Sequence, residues 1–158
     1  MTTGPSYSLD LELARYLDAA ADLHGALFER PWNRPALEDL LSVSGTDGAA
    51  ALVSDRTPRF AGFVLFRTLG DFSEILTLAV APENRRQGIG RLLMEQAVHA
   101  ARESGAERLV LEVQDGNRSA ISLYESLGMT PFDRRRNYYK SGDGSHADAI
   151  LMQLFLDN

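Results

Sequence analysis

Hydrophobic residues along this chain follow two rhythms. In four segments they return every three or four positions, the spacing of one helix face, and in six shorter segments they alternate or run together as strands do. The first helical stretch runs from Leu11 to about Phe28, with Leu13, Tyr16, Leu17, Ala20, His24, Leu27 and Phe28 on one stripe. His24 inside that stripe reads as a buried, hydrogen-bonded histidine. Pro35 is placed to open a second, short helix through Leu37, Leu40 and Leu41, because the first helical turn has no use for the N–H that proline lacks. A third helix begins at Ile89, carries Leu92, Leu93, Ala97, Ala100 and Ala101 on its apolar face, and stops at Gly105. The fourth spans Asn117–Leu127, and Gly128 is its C-terminal cap. Strands are predicted at Ala50–Ser54, Arg59–Thr68, Glu74–Ala81, Arg108–Gln114, Phe132–Tyr139 and Ala147–Phe155. Helices and strands alternate only in the middle of the chain. That order predicts an α/β protein with a mixed, mostly antiparallel sheet and helices on both faces, rather than a doubly wound sheet.

Length and composition narrow this frame. A chain of 158 residues, 44% of them hydrophobic, suits a single domain with one core, its polar first six residues frayed. No run approaches the roughly 18 apolar residues of a membrane span, so no membrane partner is expected. The absence of cysteine rules out a disulfide framework and fits a cytoplasmic setting. His24, His99 and His146 lie too far apart for ligand spacing, and no metal is expected. A net charge of −6 argues against a nucleic-acid partner, which needs a basic face, and suits an amine-bearing one.

The chemistry concentrates where the third predicted strand meets the third helix. Ile75–Val80 is apolar on both alternating faces, Pro82 ends the ladder, and Arg85-Arg86-Gln87-Gly88-Ile89-Gly90-Arg91 leads into the helix. Two glycines in a first turn let an anion approach helix N–H groups that have no partner within the helix. Gly-x-Gly alone is also the start of a dinucleotide fingerprint, although Leu93 stands where a third glycine is required, or an ordinary strand-to-helix turn with surface arginines.

A second constellation is Leu111-Glu112-Val113, Asn117, and Leu123-Tyr124-Glu125-Ser126-Leu127-Gly128-Met129. Glu112 interrupts an apolar strand, and by alternation alone it is a solvated residue. Tyr124 shares a helical stripe with Ala120, Leu123 and Leu127, and by that pattern alone it packs in the core.

Taken together, strand, Arg-x-x-Gly-x-Gly, helix, strand with a central glutamate, then Asn-x-x-Ala-x-x-Leu-Tyr-Glu-x-x-Gly resembles the GNAT superfamily of acyl-CoA-dependent N-acetyltransferases. Met129 replaces an aromatic residue often found there. Arg135-Arg136-Asn137-Tyr138-Tyr139, Asp148–Met152, and Phe28 with Pro31-Trp32 look like the RimI type, a family that acetylates the N-terminal alanine of a small-subunit ribosomal protein. The resemblance implies a GNAT fold in which the fourth and fifth strands splay. The pantetheine arm of acetyl-CoA would pair with Leu78, Ala79 and Val80, and its pyrophosphate would lie on Arg85, Arg86, Gln87, Gly88, Ile89, Gly90 and Arg91, with Asn117 near the arm. It also implies Glu112 as base and Tyr124 as acid, with Phe28, Pro31, Trp32, Tyr138 and Tyr139 as walls for an acceptor peptide.

For Trp32 the residues alone equally allow a core plug, for the tyrosines an edge strand, and for Arg134-Arg135-Arg136 a solvated run. Two other functions stay open at this stage: acetylation of a small amine such as a polyamine, amino acid or antibiotic, and acyl-CoA binding without catalysis. Retention of both Glu112 and Tyr124 speaks against the latter.

Overall fold

The computed structural model describes residues 4–157. Half of the expected frayed start, Met1–Thr3, lies outside the described residues, and Ser6 already belongs to a strand. In chain order the strands are β1 (Ser6–Asp10), β2 (Thr46–Ser54), β3 (Arg59–Leu69), β4 (Phe72–Val80), β5 (Arg108–Gln114), β6 (Thr130–Lys140) and β7 (His146–Phe155). The helices are α1 (Leu17–Leu27), α2 (Arg34–Ser42), α3 (Ile89–Glu103) and α4 (Arg118–Ser126). One seven-stranded mixed sheet runs in the order β1-β2-β3-β4-β5-β7-β6, with β4 and β5 parallel. No helix among the described residues is long and apolar enough to cross a membrane.

The chain packs as two compact units. The first takes the chain up to Arg67 together with Leu76–Ala97, and the second takes Thr68–Ile75 together with the chain from Val98 onward. In the first unit, Leu13, Leu17, Ala20, Leu37, Ala50, Phe63, Leu65 and Ala79 form the buried core. The helix predicted from Leu11 is in fact a 3-10 turn, Leu13–Tyr16, followed by α1. Asp10 accounts for the delay: its carboxylate accepts the Glu12 N–H and the Tyr16 hydroxyl, both at 2.9 Å, and so ties the end of β1 to that turn. At α2, Asn33 caps the helix by accepting the Ala36 N–H at 3.0 Å, and Pro35 follows in the first turn as expected. Gly62 is forced by close approach of β3 to β4, since a Cβ there would stand 2.5 Å from the Ala79 carbonyl oxygen.

In the second unit, β5 pairs antiparallel with β7 from Arg108 opposite Phe155 to Gln114 opposite Ala149. The parallel β4–β5 ladder joins only Phe72–Glu74 to Arg108–Val110, and a ladder this short is what splayed strands require. The helix α4 ends in a Schellman motif: Gly128, at φ 91°, donates to Glu125, and Met129 donates to Tyr124 at 3.0 Å. The backbone carbonyl of Tyr124 is thereby fixed at the point where its side chain enters the core.

Candidate active site

The first unit carries the glycine turn. After β4 a 3-10 turn, Pro82–Asn84, lowers the chain into Arg85, Arg86, Gln87 and Gly88, all exposed. Arg86 and Gly88 take left-handed conformations, φ 61° and 82°, and no atom lies within 4 Å of where a Gly88 Cβ would stand. The N–H groups of Gln87, Gly88, Ile89 and Gly90 have no acceptor within the protein among the described residues. Four free amides at the start of a 15-residue helix, beside two exposed arginines, form a cradle for an anion. Ile89 turns its side chain inward, 1% exposed, so only its backbone is available to a ligand. Arg91 is exposed and pairs with Glu95 one helical turn on. Along β4, Leu78 and Val80 are half-buried while Ala79 belongs to the core. The Val80 carbonyl accepts a long 3.5 Å contact from the Arg85 guanidinium.

The aromatic turn between α1 and α2 is also in this unit. Its organiser is His24, buried between the rings of Phe28 and Trp32, whose centroids lie 4.1 and 5.1 Å away in near-parallel stacks. His24 Nδ1 accepts the Trp32 N–H at 2.9 Å, which requires the neutral ring, and burial lowers its pKa from the ordinary histidine value. Trp32 is therefore half core plug and half surface, whereas Phe28 and Pro31 are exposed.

The second unit gathers the titratable groups. Alternation along β5 holds: Leu109, Leu111 and Val113 are buried, and Glu112 lies half-buried on the other face. Its carboxylate is not simply solvated. Tyr139 on β6 donates its hydroxyl to Glu112 Oε1 at 2.7 Å, leaving Oε2 with a 3.9 Å approach from Arg135. The Tyr139 phenol is raised, first by burial and then by the bond to Glu112 and the charge behind it, with smaller contributions from Tyr138 and Tyr124. Tyr124 is 7% exposed, and burial pushes its phenol up to about 12. Tyr138 stands edge-on to Tyr139 with ring centroids 5.4 Å apart, and Arg135 lies over its exposed ring.

Asn117 caps α4, its side chain accepting the Ala120 N–H at 3.3 Å, and remains exposed. A cavity of about 460 Å³ in this unit, lined by Ile121, Glu125, Phe132, Arg134, Ile150 and Met152, contains none of Glu112, Tyr124, Tyr138 and Tyr139.

The structure brings Glu112 and Tyr139 together, although the sequence placed one in the chemistry and the other in a groove wall. Sequence reasoning also missed Arg134. It is exposed, as a solvated run would be, but one guanidinium nitrogen also bonds both Asp115 and Asp148 at 2.7 Å. No local signal ties those three residues, which come from a turn and two different strands.

A seven-stranded mixed sheet with one parallel pair and a glycine-started helix after β4 is the frame of an acyltransferase, and residues 17–129 match the family model described as Acetyltransferase (GNAT) family. The chain belongs to that family. Among its relatives, the [ribosomal protein bS18]-alanine N-acetyltransferase of Salmonella typhimurium (strain LT2) is 41% identical over 96 residues, 61% of this chain and 64% of the relative. The chain thus spans somewhat under two thirds of that relative's length. A Bacillus subtilis (strain 168) protein provisionally given the same name is 31% identical over 137 residues, 86% of this chain and 87% of that protein. The crystal structure of the ribosomal-protein-S18-alanine N-acetyltransferase from Escherichia coli superposes with a TM-score of 0.84 at 29% identity. It covers 97% of this chain and 96% of that one.

Proposed function

We propose that the chain, acting as one cytoplasmic domain, transfers the acetyl group of acetyl-CoA to the N-terminal α-amine of a protein, alanine above all, with a ribosomal protein as acceptor. The observation that carries this reading is Glu112: a carboxylate on an otherwise apolar strand, one oxygen held by Tyr139, in the same unit as a buried phenol. The names of the relatives support the acceptor.

The residues present fit acetyl-CoA. Free amides at Gln87, Gly88, Ile89 and Gly90 with Arg85, Arg86 and Arg91 would hold its pyrophosphate, and Leu78, Ala79 and Val80 offer compact side chains and strand backbone to the pantetheine arm. When bound, acetyl-CoA supplies a thioester carbonyl open to a nucleophile. Glu112 Oε2, not taken by Tyr139, accepts the proton from the attacking amine. Tyr124 gives its proton to the departing sulfur. Burial keeps Tyr124 a phenol, and the same desolvation raises the proton affinity of a thiolate formed beside it, so the mismatch with a thiol of ordinary pKa ~8.5 shrinks. No cysteine is present to form an acyl-enzyme, which favours direct transfer.

An α-amine, pKa near ~8, is partly neutral at pH 7, whereas a lysine at ~10.4 is not, so one carboxylate suffices for the former. Phe28, Pro31 and Trp32, and separately Tyr138 and Tyr139, would guide the peptide backbone. Alanine-initiated, phenylalanine-initiated, and N-blocked lysine peptides in competition test this reading. Acetyl located by mass spectrometry on the alanine nitrogen supports it, and equal labelling of all three, or labelling of lysine alone, overturns the acceptor.

A further inference from the structure

Asp148, Arg134 and Asp115 lie outside every role assigned so far, yet their bonds converge. Asp148 Oδ1 accepts the backbone N–H of Asn137 at 2.9 Å, and its Oδ2 accepts from the Arg134 guanidinium at 2.7 Å. The same guanidinium nitrogen reaches Asp115 Oδ2 at 2.7 Å, and Asp115 donates its own N–H to the Asp148 carbonyl at 2.8 Å. Three segments meet there: the turn at Asp115, which leads from the end of β5 that carries Glu112 through Asn117 to the helix of Tyr124, then β7, and β6 just before the tyrosines.

What the clamp holds is irregular. Asn137 stands at φ 53°, a left-handed conformation that asparagine adopts more readily than other non-glycine residues but that does not continue a strand. The β6–β7 register breaks at the same place, with Arg135 opposite Ala149 and Tyr139 opposite Ala147. Four steps along β6 thus match two along β7, so β6 holds two extra residues. In an unbroken ladder Asn137 would face Ala147, and Tyr139 would lie about 7 Å further along the strand, at about 3.4 Å per residue. A hydroxyl displaced by that distance would miss Glu112.

We propose that Asp148 is a positioning residue: by taking the Asn137 N–H and pinning Arg134, it locks the β6 bulge that seats the Tyr139 hydroxyl on Glu112. The kinetic part of this proposal rests on the acetyltransferase reading; the structural part does not. The test labels the tyrosine rings with carbon-13 and compares wild type with Asp148→Ala by NMR, with Tyr139→Phe assigning the Tyr139 signal. In Asp148→Ala the Tyr139 signal moves toward that of an exposed phenol, and the Asn137 amide loses its protection from exchange. Steady-state kcat/KM for an alanine-initiated peptide falls about tenfold while acetyl-CoA affinity holds. Asp148→Asn, which keeps an oxygen for the Asn137 N–H, recovers most of the loss. In the Tyr139→Phe background, Asp148→Ala costs little more, because both changes break one interaction.

An unmoved Tyr139 signal in Asp148→Ala, or a fully additive double variant, overturns the proposal. Should Asp148→Ala fail to fold, Arg134→Gln removes half of the clamp and is read the same way. If Tyr139→Phe itself leaves kcat/KM unchanged, the kinetic part of the proposal is overturned, and the NMR comparison still decides whether Asp148 positions the ring.

Discussion

The glycine turn of the first unit and the acid cluster of the second are built on opposite terms. In the proposed reading the turn works through its backbone: four amides without partners, a left-handed Gly88, and arginines that need only reach outward. The cluster would work through side chains, each brought by a different element: Glu112 by β5, Tyr124 by α4 and Tyr139 by β6. A backbone device is written in one contiguous run of residues. A side-chain device exists only once strand register and helix capping are in place. The first should therefore respond to changes in chain conformation, and the second to removal of single oxygen atoms.

The largest expected effect is at Tyr124. Tyr124→Phe removes the proposed proton donor and keeps the packing, and should lower kcat by about 10²-fold or more, within the range usual for a lost acid. Stopped-flow or steady-state acetylation of a peptide measures it, and loss of less than a few-fold would return Tyr124 to a packing role.

Next is Glu112→Gln, with a loss of about tenfold or more at pH 7. The loss should shrink as pH rises toward and past the amine's own pKa near ~8, where the acceptor deprotonates unaided. A pH-independent defect would instead mark Glu112 as structural.

On the backbone side, Gly88→Val places a β-branched residue at φ 82°, with a strain of roughly 1–2 kcal/mol that should distort the turn carrying the free amides. Acetyl-CoA affinity in calorimetry should fall about tenfold, while kcat at saturation changes little.

The smallest effect tests the aromatic turn. His24 has a lowered pKa in the folded protein, so its contribution to stability is complete above the ordinary value of 6.5 and is lost as pH falls through the folded value, when the ring must charge and the Trp32 N–H loses its acceptor. Thermal unfolding between pH 7 and 5 should show a steeper fall in wild type than in His24→Gln. Parallel curves would remove His24 from this role.

The same contrast explains what could be read in advance. Six strands and four helices follow from the pattern of the chain, most of them because each buries a face of its own, although β6 is exposed along nearly all of its length, and the anion cradle follows because glycine and arginine lie within seven consecutive residues. β1 escaped because Ser-Tyr-Ser-Leu-Asp offers only two apolar positions, and its pairing with β2 supplies the rest. Glu112 and Tyr124 became visible through the family pattern, since alternation and helical spacing alone assign them to surface and core. Tyr139 on Glu112 was out of reach, because it depends on two extra residues in β6 and on a clamp drawn from Asp115, Arg134 and Asp148. Local sequence carries no trace of a long-range register break.

The division between a binding backbone and reacting side chains is tested most directly in the Glu112→Gln, Tyr124→Phe double variant. Its acetyl-CoA dissociation constant by calorimetry is measured beside its single-turnover rate on an alanine-initiated peptide. Cofactor affinity within about twofold of wild type, with transfer lowered by at least about 10²-fold, is the expected result. Transfer near the wild-type rate, or affinity lost in proportion to rate, would contradict it.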